Sequence, residues 1–255
     1  MTRARTTDAA VHYRVEAPSV HNHRFHITLT IAQPQAQQVV SLPVWIPGSY
    51  LVREFARHLQ GLQARQGRRA VAVTPLDKCT WRIDARTDAP LELRYEVYAF
   101  DASVRAAWLD AQRGFFNGTS VCLRVHGQES QAHQLELASV PGHAHWQVAT
   151  SLTPLRCNRH GFGLYQAQDY DELVDSPVEM GTFWSGVFKA CGIEHRFVVA
   201  GALPSFDGAR LLADTQKICE AEIRFWHGQG AQAGRKAPHK NYLFMLNAVD
   251  DGYGG

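Results

Sequence analysis

The sequence predicts a mainly β protein in two parts: an antiparallel β-sandwich over residues 1–165 and a partial α/β segment over residues 166–255. Two observations indicate this. In the first part, short runs of alternating apolar and polar residues are separated by Gly, Pro, Asn and Asp, which is typical of half-buried antiparallel strands. In the second part, a single helical pattern lies between two apolar strands, which indicates the beginning of an α/β or α+β domain.

The clearest strands of the first part are RFHITLTI and LELRYEV. The first places Phe25, Ile27, Leu29 and Ile31 on one face, and the second alternates in the same way from Leu91. Further short strands are predicted, in chain order, at QVVSLPVWI, AVAVTP, CTWRIDA, SVCLRV, QLELAS and HWQVAT. Because no long helical repeat lies between them, we expect a sandwich and not a parallel α/β sheet.

The second part begins with YDELVDSPVEMG, a short helical or turn segment that Ser176-Pro177 ends. A strand is predicted at IEHRFVVAGA, and a helix over residues 209–228 with Gly228 as its cap. A glycine-rich surface loop follows, and NYLFMLNAV forms the last predicted strand. The predicted inward face of the helix consists of Leu211, Leu212, Thr215, Ile218, Cys219, Ile223 and Trp226.

Composition narrows the classes of function. The 255 residues carry a net charge of +2, which gives no strong field for nucleic acid or for an anionic membrane. No apolar run is long enough to span a membrane, and the N-terminus lacks the apolar region of a secretory signal. The sequence thus predicts a soluble, cytoplasmic protein. The five cysteines form no C-x-x-C pair and are expected to be reduced.

No catalytic motif is found in the chain. The histidine clusters at residues 21–26 and 143–145 lack a Cys or carboxylate at ligand spacing, and H-E-x-x-H is absent. The sequence also lacks G-x-S-x-G, a P-loop and G-x-G-x-x-G. We therefore predict no catalytic residue, no metal ligand and no cofactor for this chain, although an independent histidine metal site stays open as a third alternative.

Two loops have unusual sequences. WIPGSYLVREFARH (residues 45–58) joins a Pro-Gly turn to aromatic and charged residues. RGFFNGTS (residues 113–120) contains an Asn-Gly pair, which predicts a tight hairpin turn. Each loop is either a structural corner with packed aromatic residues or a surface that docks on a neighbouring domain.

Taken together, WIPGSYLVREFARH, FFNGTSVCL, YDELVDSPVEMG and NYLFMLNAVDDGYGG resemble the front part of the glycyl aminopeptidase family of zinc metallopeptidases. The resemblance covers nearly all of the chain. It implies an N-terminal β-sandwich followed by the first part of a thermolysin-like catalytic domain, and a C-terminal PDZ domain in the full-length parent. It also implies zinc, peptide substrates and the removal of N-terminal Gly or Ala by the parent enzyme.

In the family, a strand that contains Gly-Gly-x-Glu-His borders the active site. Tyr253, Gly254 and Gly255 match its beginning, and the resemblance implies that they bind substrate as an added strand. Glu179 matches a family motif and is a further candidate substrate residue, with support of a helix or turn as its alternative role. The chain ends before the Glu-His pair and H-E-x-x-H, so we expect a truncated, inactive fragment.

The alternative function is a non-catalytic binding or assembly module, either a natural truncation or a pseudoenzyme. Truncation would leave the strand at residues 241–249 without some of its neighbours. Because an unpaired apolar edge invites pairing between copies, a homo-oligomer through this edge is expected.

Overall fold

The computed structural model describes residues 9–46, 49–228, 235 and 237–250. The described residues divide into two compact units, one formed by those in the ranges 9–148 and 152–180 and the other by those in the ranges 149–151 and 181–250. The first unit extends past residue 165 because Tyr170, Leu173 and Met180 pack into its core. The assignment of later residues to a catalytic domain stays a prediction.

The first unit is built almost entirely from strands. Its elements are β1 (Val11–Glu16), β2 (Arg24–Ile31), β3 (Gln37–Ser41), β4 (Leu59–Gln66), β5 (Arg69–Val71), β6 (Val73–Pro75), β7 (Thr80–Asp84), β8 (Leu91–Tyr98), β9 (Ala107–Leu109), β10 (Arg113–Phe116), α1 (Gly118–Val121), β11 (Arg124–Val125), β12 (His133–Leu137), β13 (Gln147–Ala149), β14 (Thr153–Cys157), β15 (Gly163–Ala167), α2 (Tyr170–Val174) and β16 (Val178–Gly181). Short 3-10 turns occupy Val20–Asn22 and Phe55–His58.

These strands form one large sheet and two small ones. The large sheet has eight strands in the order β14-β15-β12-β1-β2-β8-β4-β5, and the small sheets have the orders β13-β16-β10-β9 and β11-β3-β7-β6. Pairing is mainly antiparallel, as in β2 with β8, where Ile27 lies opposite Tyr95. β1 and β12 instead run parallel, with Tyr13 opposite Leu135. The predicted β-rich sandwich class is confirmed.

Alternation along the central strands creates the core. The alternate apolar positions of β1, β2 and β8 from Val11, Phe25 and Leu91 onward are buried. Residues between them, such as Arg14, Arg24 and Glu96, face outward and form ion pairs. The buried face forms one hydrophobic cluster with residues of both small sheets, including Val40, Ile83, Leu109 and Phe116. The period-two pattern therefore translates directly into a sandwich.

The segment that follows β10 does not form the predicted hairpin. Asn117 and Gly118 have ordinary negative-φ backbone, and the chain turns into the single-turn helix α1. The Asn117 amide donates to the Val104 carbonyl at 2.6 Å. A Cβ on Gly118 would lie 2.8 Å from the Val174 Cα, so glycine is required here for close approach to α2 and not for a turn.

The second unit contains a three-stranded sheet and one long helix: β17 (Phe183–Ala190), β18 (Ile193–Ala200), α3 (Gly208–His227) and β19 (Asn241–Asn247). The sheet order is β17-β18-β19, and β19 runs parallel to β18. Since parallel neighbours need a crossover, α3 is the connecting helix of a β-α-β unit. Leu212, Cys219 and Ile223 of α3 pack with Phe188 and Ile193 of the sheet.

The helix was predicted correctly, but two residues of its predicted inward face are exposed. Ile218 is 61% and Trp226 is 72% exposed. The face that packs on the sheet is narrower than the sequence pattern suggested, because only one side of α3 meets a partner in the described residues. Trp226 instead donates its indole N–H to the Glu222 carboxylate at 3.2 Å.

Candidate functional site

Glu179 forms a buried ion pair in the first unit. It lies in β16, and β10, the neighbouring strand, carries Arg113. Arg113 donates from Nε to one carboxylate oxygen at 2.9 Å and from Nη2 to the other at 2.6 Å. The side chains are 14% and 4% exposed for Arg113 and Glu179. Both oxygens of the predicted site residue are therefore occupied by one guanidinium.

Burial affects the protonation of this carboxyl group. Desolvation raises the pKa of Glu179, while the hydrogen bonds and charge of Arg113 oppose the rise. Arg113 also lies over the ring of Phe115, 5.5 Å from its centroid. A substrate ammonium group would have to displace this guanidinium or share the carboxylate with it. The ion pair links β10 to β16, and Glu179 is not an unpaired acid.

The other predicted site residues, Tyr253, Gly254 and Gly255, lie outside the described residues. The strand that precedes them, β19, is the last strand of its sheet, in register with β18 from Glu194 opposite Asn241 to Ala200 opposite Asn247. No described strand pairs with its second edge. Two large side chains on this strand, Tyr242 and Leu246, are nearly half exposed.

The loop at residues 49–58 is braced from within by Ser49. The Ser49 hydroxyl accepts hydrogen bonds from the Leu51 N–H at 3.3 Å and from the Arg53 Nε at 3.0 Å. The Trp45 indole donates to the Ser49 carbonyl at 2.6 Å, and the Arg53 N–H donates to the Val44 carbonyl at 2.7 Å. These bonds define the path of residues 49–54, which have no regular secondary structure and precede the 3-10 turn at Phe55–His58.

The apex of this loop presents apolar side chains outward. Tyr50 is fully exposed, and Leu51 and Val52 are each more than 60% exposed, whereas Phe55 is buried in the core. Among the described aromatic residues of this loop, only Phe55 fits the interpretation of a structural corner with packed aromatic residues. Adjacent exposed apolar residues are typical of interaction surfaces.

A cavity of about 150 Å³ lies beside this loop, between it and residues 97–107. We call it the loop cavity. Its lining is part apolar and part charged, and comprises Leu51, Val52, Arg53, Phe55, Arg57, His58, Val97, Tyr98, Asp101, Ser103, Arg105, Ala106, Ala107 and Ser120. All of these residues belong to the first unit.

The residues around the loop cavity include more basic than acidic side chains. Arg57 approaches Asp101 at 3.8 Å and donates from Nε to the ring of His58 at 2.9 Å. Burial and the Arg57 charge lower the pKa of His58, so this ring is neutral at pH 7. Among the described residues, the Arg53 guanidinium donates only from Nε, to Ser49, and none pairs with the Arg105 guanidinium. The cavity therefore carries an excess of positive charge.

Sequence reasoning identified one side of this cavity and missed the other. Arg53, Arg57 and His58 belong to the unusual loop already noted in the sequence. Asp101 and Arg105 lie in an ordinary-looking segment about 50 residues later. That segment is held by the pairing of β9 and β10, by the bond from Asn117 to Val104 and by backbone bonds such as that from the Asp101 N–H to the Ala107 carbonyl. No sequence motif signals this juxtaposition.

Metal binding finds no support within the described part of the chain. No group of three or more His, Cys, Asp or Glu side chains is placed to hold an ion there. The ring of His23 bonds to the Leu109 carbonyl at 2.6 Å, and that of His143 to the Pro141 carbonyl at 2.9 Å. All five cysteines are free. Over the same residues, no helix is long and apolar enough to cross a membrane.

Comparison with solved structures reveals clear relatives. The chain is similar to an aminopeptidase N family protein from Idiomarina loihiensis, with 37% identity over 96% of this chain and a TM-score of 0.88. It covers 40% of that protein, so it spans less than half the length of this relative.

More distant structures share the fold. An M1 zinc metallopeptidase variant from Deinococcus radiodurans, bound to a Tyr-Ser-Ala substrate, matches 94% of this chain and is covered to 56%, with 13% identity and a TM-score of 0.57. Legionella pneumophila aminopeptidase A in complex with aspartic acid matches 95% of this chain and is covered to 28%, with 8% identity and a TM-score of 0.54.

No curated protein sequence matches the chain significantly. A family model does: residues 12–182 match the Peptidase M61 N-terminal domain. The match includes the sandwich from the second residue of β1 onward, both unusual loops and the Arg113–Glu179 pair. The chain therefore belongs to the Peptidase M61 N-terminal domain family.

Proposed function

We propose that this chain is the N-terminal portion of a zinc-dependent aminopeptidase that removes N-terminal residues of the Gly or Ala type from peptides. The observation that carries the proposal is the family match over residues 12–182, supported by 37% identity to an aminopeptidase N family protein. Catalysis is proposed for the parent protein, because the chain covers only 40% of that relative. By itself, the chain is proposed to be inactive.

Zinc is likewise proposed for the parent and not for these residues. The described residues offer no three-ligand group, and H-E-x-x-H does not occur in the 255 residues. The described side chains therefore do not fit a catalytic zinc site.

Peptide binding is proposed for the strand region that ends the chain. We propose that Tyr253, Gly254 and Gly255 pair with an extended substrate as an added strand. The open second edge of β19 in the described sheet supports this proposal. The same open edge supports self-association as a competing use.

For Glu179, the bidentate bond to Arg113 supports a positioning role over direct contact with substrate. Glu179→Gln in the parent enzyme distinguishes the two roles. Direct contact predicts a raised KM with unchanged stability, whereas positioning predicts lower stability that an Arg113→Met and Glu179→Met double substitution partly restores.

The aminopeptidase proposal is tested by assaying the 255-residue chain and the product of the complete gene on glycyl and alanyl arylamides with added zinc. We expect turnover by the complete product, lost with a chelator, and none by the chain. Chelator-sensitive turnover by the chain itself, or none by the complete product on any aminoacyl arylamide, would overturn the proposal.

One observation favours a second candidate, a binding or assembly module. The apex of the 49–58 loop exposes Tyr50, Leu51 and Val52 together. An exposed apolar cluster is typical of a surface that binds a partner, and such binding needs no catalysis. A complete gene product that lacks peptidase activity and metal would support this candidate.

A further inference from the structure

We propose that the loop cavity is a binding site for a carboxylate attached to a short apolar group, as at the carboxyl end of a peptide. The proposal concerns the first unit alone and does not depend on the aminopeptidase proposal. It follows from the charge, the lining and the size of the cavity.

Three arginines, Arg53, Arg57 and Arg105, are among the residues that line the cavity, against the single acidic residue Asp101. Asp101 is already engaged, because it accepts the Ser103 N–H at 2.9 Å and lies 3.8 Å from Arg57. The two remaining guanidinium groups have no anionic partner among the described residues.

Arg53 and Arg105 are both only partly exposed. The Arg105 guanidinium has no acceptor among the described residues, and the Arg53 guanidinium donates there only from Nε, to Ser49, so both keep N–H groups for an incoming carboxylate. The planar fork of arginine matches the two oxygens of a carboxylate, and such bonds are stronger than bonds between neutral groups.

The loop cavity is partly apolar and small. Phe55 and Val97, which are almost fully buried, and the aliphatic side chains of Leu51 and Val52 give the cavity an apolar part. Its volume of about 150 Å³ is below the range of roughly 300–1,000 Å³ that holds drug-sized ligands. The cavity therefore suits a single terminal residue and not a longer peptide segment.

The test measures binding to the 255-residue chain by calorimetric titration. N-acetyl-leucine supplies the carboxylate with an apolar group, and N-acetyl-leucinamide is the neutral control of the same shape. We expect the acid to bind at least about tenfold more tightly than the amide, because only the acid forms charge-assisted bonds to arginine. Equal affinity of the two, or no binding of the acid at millimolar concentration, would overturn the proposal.

Two variants locate the site. Arg105→Gln is expected to weaken acid binding by about tenfold or more with an unchanged Tm, since this guanidinium has no described partner. Arg68→Gln, at the exposed turn between β4 and β5, is the matched control and should leave the affinity unchanged. Equal loss in both variants would mean that the acid binds through general surface charge.

Two further ligands separate the possible sources of the carboxylate. Binding of 4-methylpentanoate as tight as that of N-acetyl-leucine would mean that a free small acid suffices, whereas weaker binding would support the end of a peptide. Inorganic phosphate is expected to bind weakly, because it gains nothing from Phe55 and Val97. Phosphate binding as tight as that of N-acetyl-leucine would overturn the apolar part of the proposal.

Discussion

Three tyrosines fix the segment that follows β10. The hydroxyl groups of Tyr95, Tyr170 and Tyr13 donate to three consecutive carbonyls, those of residues 121, 122 and 123, at 2.7, 2.8 and 2.6 Å. This segment is buried and only partly helical, so its backbone groups need partners from elsewhere. The tyrosines allow an irregular segment to cross the core, and burial raises the pKa of all three.

Tyr95→Phe tests this role. Its hydroxyl also accepts the Leu123 N–H at 3.3 Å, so its removal leaves two buried backbone groups without a partner. We expect a loss of about 1–3 kcal/mol in the free energy of unfolding, measured in urea. Tyr98→Phe, on the same strand with an exposed side chain, should cost little. Equal costs would show that the buried bonds contribute nothing specific.

His133 makes the sandwich sensitive to acid. Its ring is fully buried against Tyr13, its Nδ1 donates to the Gln131 carbonyl at 2.7 Å, and its Nε2 has no partner among the described residues. Burial therefore lowers the pKa of His133 below its usual value of 6.5. Because the unfolded chain takes up this proton first, stability is lost as pH falls below about 6.5.

We expect the free energy of unfolding to fall between about pH 7 and pH 5, and His133→Phe to reduce that slope. His21→Phe, at an exposed position, is the control and should keep the wild-type slope. An unchanged slope in the His133 variant would assign the acid sensitivity to other groups.

At the level of elements, local interactions define both ends of α3. Asp207 caps its N-terminus by accepting the Arg210 N–H at 3.0 Å, and Gly228 ends it with a positive φ of 91°. At Asn117-Gly118, by contrast, the sequence predicts a hairpin turn that does not form. That segment lies in the core, and burial against α2 selected a helical turn.

Asp207→Ala should weaken the first turn of α3 by about 1 kcal/mol, because one backbone N–H loses its acceptor. Faster amide exchange of Arg210 would report the loss. Asp207→Asn keeps a capping oxygen and should exchange like the wild type. If both variants exchange alike, the side-chain bond at this end does not stabilise the helix.

At the scale of the whole molecule, the described sheets differ in how their edges are protected. The edge strand β14 of the large sheet contains Pro154 and a register shift between Pro154 and Arg156, and the opposite edge strand β5 is only three residues long. Both are common devices against edge-to-edge pairing. β19 has seven residues, no proline and an open second edge in the described sheet. Self-association is therefore expected there.

Leu246→Lys should weaken self-association of the chain in sedimentation velocity by about tenfold, since a charge on an edge strand opposes pairing. Leu246 is 46% exposed, so the substitution should leave the fold intact. Leu155→Lys, at 48% exposure on the protected strand β14, is the matched control. A chain that is monomeric at all concentrations would contradict the expected use of this edge.

The sequence by itself determined the β-rich class, most strands of the sandwich, and the extent of α3, because period-two and helical patterns record which side of each element is buried. Motifs that keep their order along the chain also indicated a metallopeptidase family, and the match to the Peptidase M61 N-terminal domain supports this coarser assignment. Only the tertiary structure decided the path of residues 117–123, the exposure of Ile218 and Trp226, and the partner of Glu179. The tertiary structure alone also decided the loop cavity, because its two sides come from segments about 50 residues apart. Pairing between such distant segments produces no local pattern in the sequence.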